Sequence, residues 1–542
     1  MKVGAVIAEI LAREGVDVIF GYPRNAVLEQ AAAQNIRTVI VRQERTGVHM
    51  ADALSRLTRG RRMGVFAMQH GPGTENAYGG VAQAYSESVP VLVLPQGYAR
   101  RLAHVPDNYN ASISMRDVTK TCEPILRAED TPAILRRAFS ALRNGRPRPA
   151  LVEMPWDVLE EDLPGPIDYA PVLTTRYAPD PEAIARVADR LVAARRLVIH
   201  AGQGVHWAEA YDELRALAEL LAAPVSTSLE GKSAFDETHA LALGSGGAAI
   251  PGQLRHFLDR ADLIFGIGCS LSETAFGVAM PKRARIVHAT LDPADINKSV
   301  PCIDALVGDA KLTLAMLVEA CRDRLEGPRD PEPVSREIAE IEHKWLAEWL
   351  PLLESDDAPL SPYRVLWDLQ RTVDVANTII THDAGSPRDQ LTPFWKTTAP
   401  LSYIGWGKTT QLGYGLGLAM GAKLACPDKL CINVWGDAAI GFTGMDFETA
   451  ARERLPILSI LLNNSAMAIE LPIMPLATER YRATDISGNY ADFARALGGY
   501  GERITAPDQI VPAIKRGIAA TQAGHPALLE FITAQETRAS RL

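Results

Sequence analysis

No stretch of this 542-residue chain approaches 18 uncharged apolar residues, so nothing in it reads as a membrane-spanning helix. It has no CxxC pair either. The six cysteines (Cys122, Cys269, Cys302, Cys321, Cys426, Cys431) are scattered without metal spacing, and they read as reduced thiols of a cytoplasmic protein. Blocks of lysine and arginine are missing too, and with a net charge of −9 the chain is a poor general binder of nucleic acid. The first residues, MKVGAVIAEILAREGV, carry an apolar stripe broken by Glu9, Arg13 and Glu14, which is an amphipathic helix and not a signal peptide. What the chain does have is core material: 47% apolar residues, at a length suited to about three domains.

The stretch from Trp435 to Glu470 organises the rest. It reads as a buried strand (CINVW), a tight Gly-Asp turn, a helix from about Gly444 to Arg454, and an apolar strand (ILSILL) ending on Asn463-Asn464. In a parallel strand-helix-strand unit both strand ends lie at one edge of the sheet. Asp437 and Asn464, 27 positions apart, would therefore meet at the carboxyl edge, where α/β sheets bind ligands. A carboxylate and an amide oxygen with open positions suit Mg2+, which is completed by water, carbonyl and phosphate oxygens. The bland alternative is a buried unit whose Asn-Asn merely caps a turn.

Elsewhere strands and helices alternate, which implies an α/β chain of three doubly wound, mainly parallel sheets. The first domain covers residues 1–165 and the second 183–325, after a Pro-rich linker over 162–182. The third covers 358–542, after a second linker (LEGPRDPEPVS) and a helix rich in Glu and Trp. Glu44 stands just after a strand and opens a helix, where a carboxylate is ordinarily a first-turn residue favoured by the helix dipole. Gly266-Ile267-Gly268 follows a strand but lacks a third glycine in register, a weak dinucleotide signal. YIGWGKTTQLGYGLG supplies a glycine-rich turn and helix start, whose backbone N–H groups suit a diphosphate.

These motifs carry a resemblance. The Gly-Asp and Asn-Asn pair is similar to the thiamine-diphosphate motif. The order YP, strand-Glu-helix, GPGTENAYGGVAQAYSESVPVLVL and GRPRPALVEMPWDV resembles acetolactate-synthase-like enzymes over essentially the whole chain. The resemblance implies thiamine diphosphate and Mg2+, with pyrimidine-binding, central Rossmann-like and diphosphate-binding domains in that order. It implies that Asp437, Asn464 and the carbonyl of Ala466 hold the metal. Ser386, Gly413, Gly436 and Ala438 would serve the diphosphate, and Leu412, otherwise plain core, would prop the cofactor into its bent shape. The residue matching Glu44 hydrogen-bonds N1′ of the aminopyrimidine and so favours the tautomer that deprotonates thiazolium C2. Its presence argues against the glyoxylate-carboligase branch, which lacks it. Glu470, in NNSAMAIE, has the spacing of pyruvate-decarboxylase-like enzymes, where the Glu faces the thiazolium; the alternative is a solvent-facing residue at a helix start.

There are departures. GYPRNAV puts Arg24 and Asn25 where the family usually has small residues, and Asn25 is either a polar catalytic side chain or the cap of a helix beginning at Ala26. Tyr109-Asn110 lies near a family Phe-Gln, and His70 beside GPG is a secondary candidate. The central domain binds FAD in biosynthetic acetolactate synthases and ADP or CoA in some relatives; the default expectation here is no nucleotide.

Three readings compete. The first is a 2-oxo-acid decarboxylase or carboligase. The second, supported by the GF-x-GM-x-x-ET run after Asp437, is an acyl-CoA lyase of the 2-hydroxyacyl-CoA or oxalyl-CoA type. Against it, CoA-using relatives carry a longer carboxyl-terminal lid, although Arg538 and Arg541 could still touch a phosphate. The third is a non-catalytic paralogue, which the presence of Glu44, Asp437 and Asn464 together opposes. The family pattern also implies a homodimer or homotetramer whose active site lies at the subunit interface, acting on a small-molecule 2-oxo acid or acyl-CoA.

Overall fold

The computed structural model describes residues 1–541 and contains three six-stranded sheets in which every strand pair is parallel. Short apolar runs become strands such as Val18–Gly21, Gly64–Met68 and Val91–Gly97, buried almost throughout. Such continuous burial follows from helices covering both faces of a parallel sheet.

In spatial order the amino-terminal sheet runs Arg37–Ile40, Val18–Gly21, Gly64–Met68, Val91–Gly97, Ala150–Pro155, Thr121–Pro124. The carboxyl-terminal sheet repeats this 2-1-3-4-6-5 order with Tyr403–Ile404, Thr378–His382, Leu430–Gly436, Leu458–Asn463, Ala527–Ile532 and Tyr500–Ile504. The central sheet differs. Its order is Asp304–Val307, Arg285–Thr290, Leu263–Ile267, Leu197–Ala201, Val225–Ser228, Ala242–Gly246, the 6-5-4-1-2-3 order of dinucleotide-binding folds. Each sheet thus has a point where winding reverses, and a crevice opens there at the carboxyl ends of its strands.

One expectation needs correction. The helix expected from about Gly444 starts at Asp437 itself, as Asp437–Thr443, a 3₁₀ turn Gly444–Asp446, and Phe447–Arg452. Gly436 is still strand, so Gly-Asp is a strand-to-helix junction and not a tight turn, and Asp is well placed in a first helical turn. In the central domain the segment after Leu197–Ala201 forms two helices, Gly204–Ala208 and Tyr211–Leu221, separated at Glu209 with its left-handed φ of 54°. Among the described residues, no helix is long and apolar enough to cross a membrane.

The amino- and carboxyl-terminal domains share one core. Val48, Met50 and Leu54 of helix Glu44–Leu57 belong to the same apolar cluster as Tyr414, Leu416 and Leu418 of helix Tyr414–Ala425. Gly417 and Gly421 make the close approach possible. A Cβ on Gly417 would stand 2.5 Å from His49 Cβ, and one on Gly421 only 2.4 Å from the Met50 carbonyl oxygen. Polar ties flank the contact: Arg42 N–H donates to Asp446 Oδ1 (2.7 Å), and Arg56, paired with buried Asp52, donates to the Gly405 carbonyl (2.9 Å).

Replacing Gly421 sets two effects against each other. Alanine gains about 1 kcal/mol of helix propensity, but overpacking against backbone costs about 1–3 kcal/mol, and the Met50 carbonyl has nowhere to retreat. Gly421→Ala is therefore expected to lower the thermal unfolding midpoint. An equal or higher midpoint would show that the interface can yield.

Candidate functional site

At the carboxyl edge of the third sheet, two neighbouring strands each hand over to a helix. Thr378–His382 leads through Asp383, Ala384 and Gly385 into Ser386–Leu391, and Leu430–Gly436 leads directly into Asp437–Thr443. These are the first and third strands of that sheet, the point where its winding reverses. A cavity of about 80 Å³ opens there, lined by Ser386, Leu412, Gly436, Asp437, Ala438, Asn464, Ala466 and Glu470.

Asp437 is 4% exposed. Its Oδ1 accepts the Ala438 N–H (3.0 Å), while Oδ2 is buried without a protein partner. Burial pushes this carboxyl up to about 6, against the pull of nearby backbone N–H groups. A buried carboxylate oxygen left unpaired is costly unless something completes it, and a cation would. Asn464 lines the same cavity, its Oδ1 oriented by the Ala466 N–H (2.9 Å). The first asparagine of the pair is different: Asn463 Nδ2 donates to buried Glu530 (2.7 Å) and its Oδ1 accepts the Ser465 N–H (3.1 Å), so it anchors the loop. No group of three or more His, Cys, Asp or Glu able to hold a metal exists among the described residues. A metal here would rest on one carboxylate, one amide and carbonyl oxygens, a hard set that suits Mg2+ better than zinc. The residues fit the ion.

Leu412 is placed by a brace. Gly413 has φ 93°, and a Cβ on it would stand 2.8 Å from Phe442 Cβ. Its N–H is held by fully buried Asp383 (2.9 Å), which also accepts from Ala384 (2.8 Å) and Gly415 (2.9 Å), and its carbonyl accepts from Thr443 Oγ1 (2.6 Å). Burial pushes the Asp383 carboxyl up to about 6. Asp383 is marked in the sequence only as an Asp at a strand end, in THDAGS.

Glu470 lies half-buried in a turn, its N–H bonded to the Met467 carbonyl (3.0 Å). The following helix, Pro475–Tyr481, opens five residues later, so Glu470 is not a helix-start residue; proline suits that first helical position.

Glu44 and Asn25 lie in the amino-terminal domain. Neither lines this cavity, and no residue of the amino-terminal sheet does. Glu44 opens helix Glu44–Leu57, is 4% exposed, and accepts a hydrogen bond from Asn76 Nδ2 (3.1 Å). Asn25 caps helix Ala26–Ala33 through the Val27 N–H (3.1 Å) and bridges the strand ends by donating to the Met68 (2.8 Å) and Leu94 (2.9 Å) carbonyls. Its amide is thus engaged by the fold itself. Arg24 beside it is exposed with φ 71°, and His70 packs on Tyr98 at 4.6 Å. Tyr109 donates to the Gly71 carbonyl (2.6 Å).

Family models for thiamine pyrophosphate enzymes match in three places: the N-terminal TPP binding domain over residues 1–119, the central domain over 184–317, and the C-terminal TPP binding domain over 383–531. The chain is 30% identical to a probable acetolactate synthase large subunit of Methanocaldococcus jannaschii, across 98% of this chain and 92% of that one. It is also 30% identical to the acetolactate synthase isozyme 3 large subunit of Escherichia coli, across 92% and 88%. The chain belongs to the acetolactate-synthase-like thiamine pyrophosphate enzymes. Its fold is that of a benzoylformate decarboxylase from Polynucleobacter necessarius, with a TM-score of 0.84 at 20% identity over 99% of both chains.

Thiamine pyrophosphate enzymes of this group share the central domain, and here it carries a cavity of about 1030 Å³. His200, Ser228, Gly268 and Thr290, at the ends of its strands, form the floor. Arg146, which donates to Asp295 (2.6 and 2.7 Å), and Lys408, paired with Glu230 (3.6 Å), close it from the neighbouring domains. The space is ample for a small-molecule ligand. The Gly266-Ile267-Gly268 turn, whose Gly268 lines this space, is the only part of it that the sequence signals.

The Asp383 brace predicts a binding defect. Asparagine in its place turns an acceptor into an N–H2 group facing a backbone N–H, at a cost of about 1–3 kcal/mol. Asp383→Asn should weaken thiamine diphosphate binding, read by fluorescence titration, and lower the unfolding midpoint. Unchanged values for both would remove Asp383 from the site.

Proposed function

We propose that this enzyme cleaves and forms C–C bonds next to a carbonyl in a thiamine-diphosphate- and Mg2+-dependent reaction. Its substrate would be a 2-oxo acid that loses CO2, with or without transfer of the acyl group to a second carbonyl. The observation that carries the reading is the buried, unpaired Oδ2 of Asp437 in one cavity with Asn464 and Glu470. When bound, the cofactor supplies the carbanion chemistry.

The chain's own residues do the rest. Asp437, Asn464 and the Ala466 carbonyl would hold Mg2+. Ser386 and Gly436, at the strand-to-helix junctions, would receive the diphosphate, whose charge suits such helix starts; Gly413 and Ala438, whose N–H groups are taken by Asp383 and Asp437, would shape the site around it. Leu412, fixed by the Asp383 and Thr443 brace, would set the cofactor's shape. Glu470, half-buried at the wall, would give or take a proton at the reacting carbonyl, whereas Glu44 would share a proton with a ring nitrogen of the pyrimidine. Asn25 contributes by holding the loop that carries Arg24, a catalytic role being open to it only through Oδ1.

The acyl-CoA alternative rests on the GF-x-GM-x-x-ET run, with Arg538 and Arg541 as the groups that could meet a CoA phosphate, and both arginines have partners within the fold. Arg541 pairs with buried Asp389 (2.8 Å), and the Arg538 guanidinium lies 4.3 Å over the Trp349 ring. This favours a 2-oxo acid over a CoA ester. The two acetolactate synthase relatives point the same way.

Glu44 is absent from the cavity that holds Asp437, which supports an active site completed by a second copy of the chain, in a dimer or a tetramer built from dimers. Two experiments test these readings. CO2 release from a panel of 2-oxo acids should stop on treatment with EDTA and return only with Mg2+ and thiamine diphosphate together; full activity in protein free of the cofactor would sink the reaction. Mixing inactive Glu44→Gln and Asp437→Ala subunits should restore part of the activity, because one of the two sites in each heterodimer is intact. No recovery with heterodimers demonstrated would refute a shared site.

A further inference from the structure

Glu44 is a buried carboxyl with few companions. Among the described residues it forms no ion pair, and the one side chain that donates to it is Asn76, through Nδ2 to Oε2 at 3.1 Å. Burial raises the Glu44 carboxyl above its ordinary range, while its own backbone N–H and the Asn76 amide hold it down.

The seat of this carboxyl is one face of helix Pro72–Ser86. Gly73 and Asn76 are three residues apart and so point the same way. A Cβ on Gly73 would stand 3.5 Å from Glu44 Oε1, so the helix leaves that oxygen space while Asn76 grips the other. Asn76 is itself exposed, and among the described residues its side chain makes one hydrogen bond, to Glu44. Nothing else in the described fold uses it. An amide that serves only a buried carboxyl is better explained by that carboxyl than by the helix it sits on.

The charged groups on adjoining segments are otherwise occupied or turned elsewhere. On Glu44's own segment, Arg42 pairs with Glu448 (3.6 Å), Arg45 lies over the Phe442 ring (5.7 Å), and His49 is held neutral by burial. On the facing helix Glu75 is exposed, and on the carboxyl-terminal domain Asp446 accepts from the Arg42 N–H and Thr449 (2.8 Å).

We propose that Asn76 is a positioning residue for Glu44: it fixes Oε2 and leaves Oε1 to meet the ring nitrogen of an aminopyrimidine. The proposal rests on the reading of Glu44 given above. It has a consequence that a purely structural asparagine lacks. Without the donor, the charged form of Glu44 loses its one side-chain partner while the neutral form loses little, so the proton is held more tightly.

The test is the titration of the Glu44 carboxyl in cofactor-free protein by infrared difference spectroscopy, with its band assigned by its loss in Glu44→Gln. Asn76→Ala should raise the half-titration point by about one pH unit, a tenfold tighter proton, with little change in the unfolding midpoint. Asn76→Asp, of the same size, should raise it further by adding a like charge, and Asn76→Gln should return it toward the parent value. A half-titration point that stays put or falls in Asn76→Asp overturns the proposal, and that variant decides the matter if Asn76→Ala does not fold. The reading of Glu44 itself fails separately: it falls if Glu44→Gln leaves hydrogen exchange at C2 of the bound cofactor unchanged, whatever the infrared titration shows.

Discussion

The contact between helices Glu44–Leu57 and Tyr414–Ala425 is the constraint on which the rest of the molecule depends. It is a backbone-to-backbone approach licensed by Gly417 and Gly421, and it merges the cores of two sheets that are far apart in sequence. Interiors this tightly packed transmit displacement instead of absorbing it. The amino-terminal end of the first helix presents Glu44, and the amino-terminal end of the second begins at Gly413, just after Leu412. One interface therefore fixes the direction of both the residue proposed to meet the pyrimidine and the residue proposed to shape the cofactor. Asp446, gripping the Arg42 N–H, and Arg56, gripping the Gly405 carbonyl, pin the two ends of the same contact.

Around that contact the chain keeps several carboxylates in dry surroundings. Asp383 solves the problem with backbone: three N–H groups converge on it, and the turn they define can hardly relax. Glu530 is satisfied by Asn463 and the Ala491 N–H (3.0 Å), which makes the first asparagine of the pair a structural group and leaves the second free to line the cavity. Buried polar groups paired in this way specify one arrangement of the loop, since any other leaves a charge without partners.

How much of this was legible in the sequence follows from where the signal comes from. Interior strands are covered on both faces and read as apolar runs, so their assignment was straightforward. Thr121–Pro124, Ala242–Gly246, Asp304–Val307, Tyr403–Ile404 and Tyr500–Ile504 went unread, and each is an edge strand. Edge strands are short and less fully buried, so they carry polar residues and no periodic run. The site divides similarly. Asp437 and Asn464 were legible because a parallel crossover dictates that two successive strand ends meet. Asp383 and Thr443 were not, because they act through hydrogen bonds to a turn thirty residues away, which no local pattern encodes. Asn25 could be read two ways, and the structure shows its amide serving as cap and strand bridge at once, a combination that spacing alone could not reveal.

Asp437 and Glu44 share one physical situation and diverge in how it is resolved. Both are 4% exposed carboxyls, and in both burial disfavours the charge. At Asp437 one oxygen is left wholly unpaired in a cavity that also offers an amide and a carbonyl, so the arrangement gains most from a cation, which restores the ionised form. At Glu44 no cation of the described fold makes an ion pair and a single neutral amide provides the grip, so the arrangement gains most from a group that shares a proton. Burial raises the affinity for positive charge at both sites, and the neighbours decide whether that charge arrives as a metal ion or as a proton. The same low-dielectric surroundings thus suit the proposed metal at one carboxyl and the proposed proton sharing at the other, and neither role would need a residue type that the other lacks.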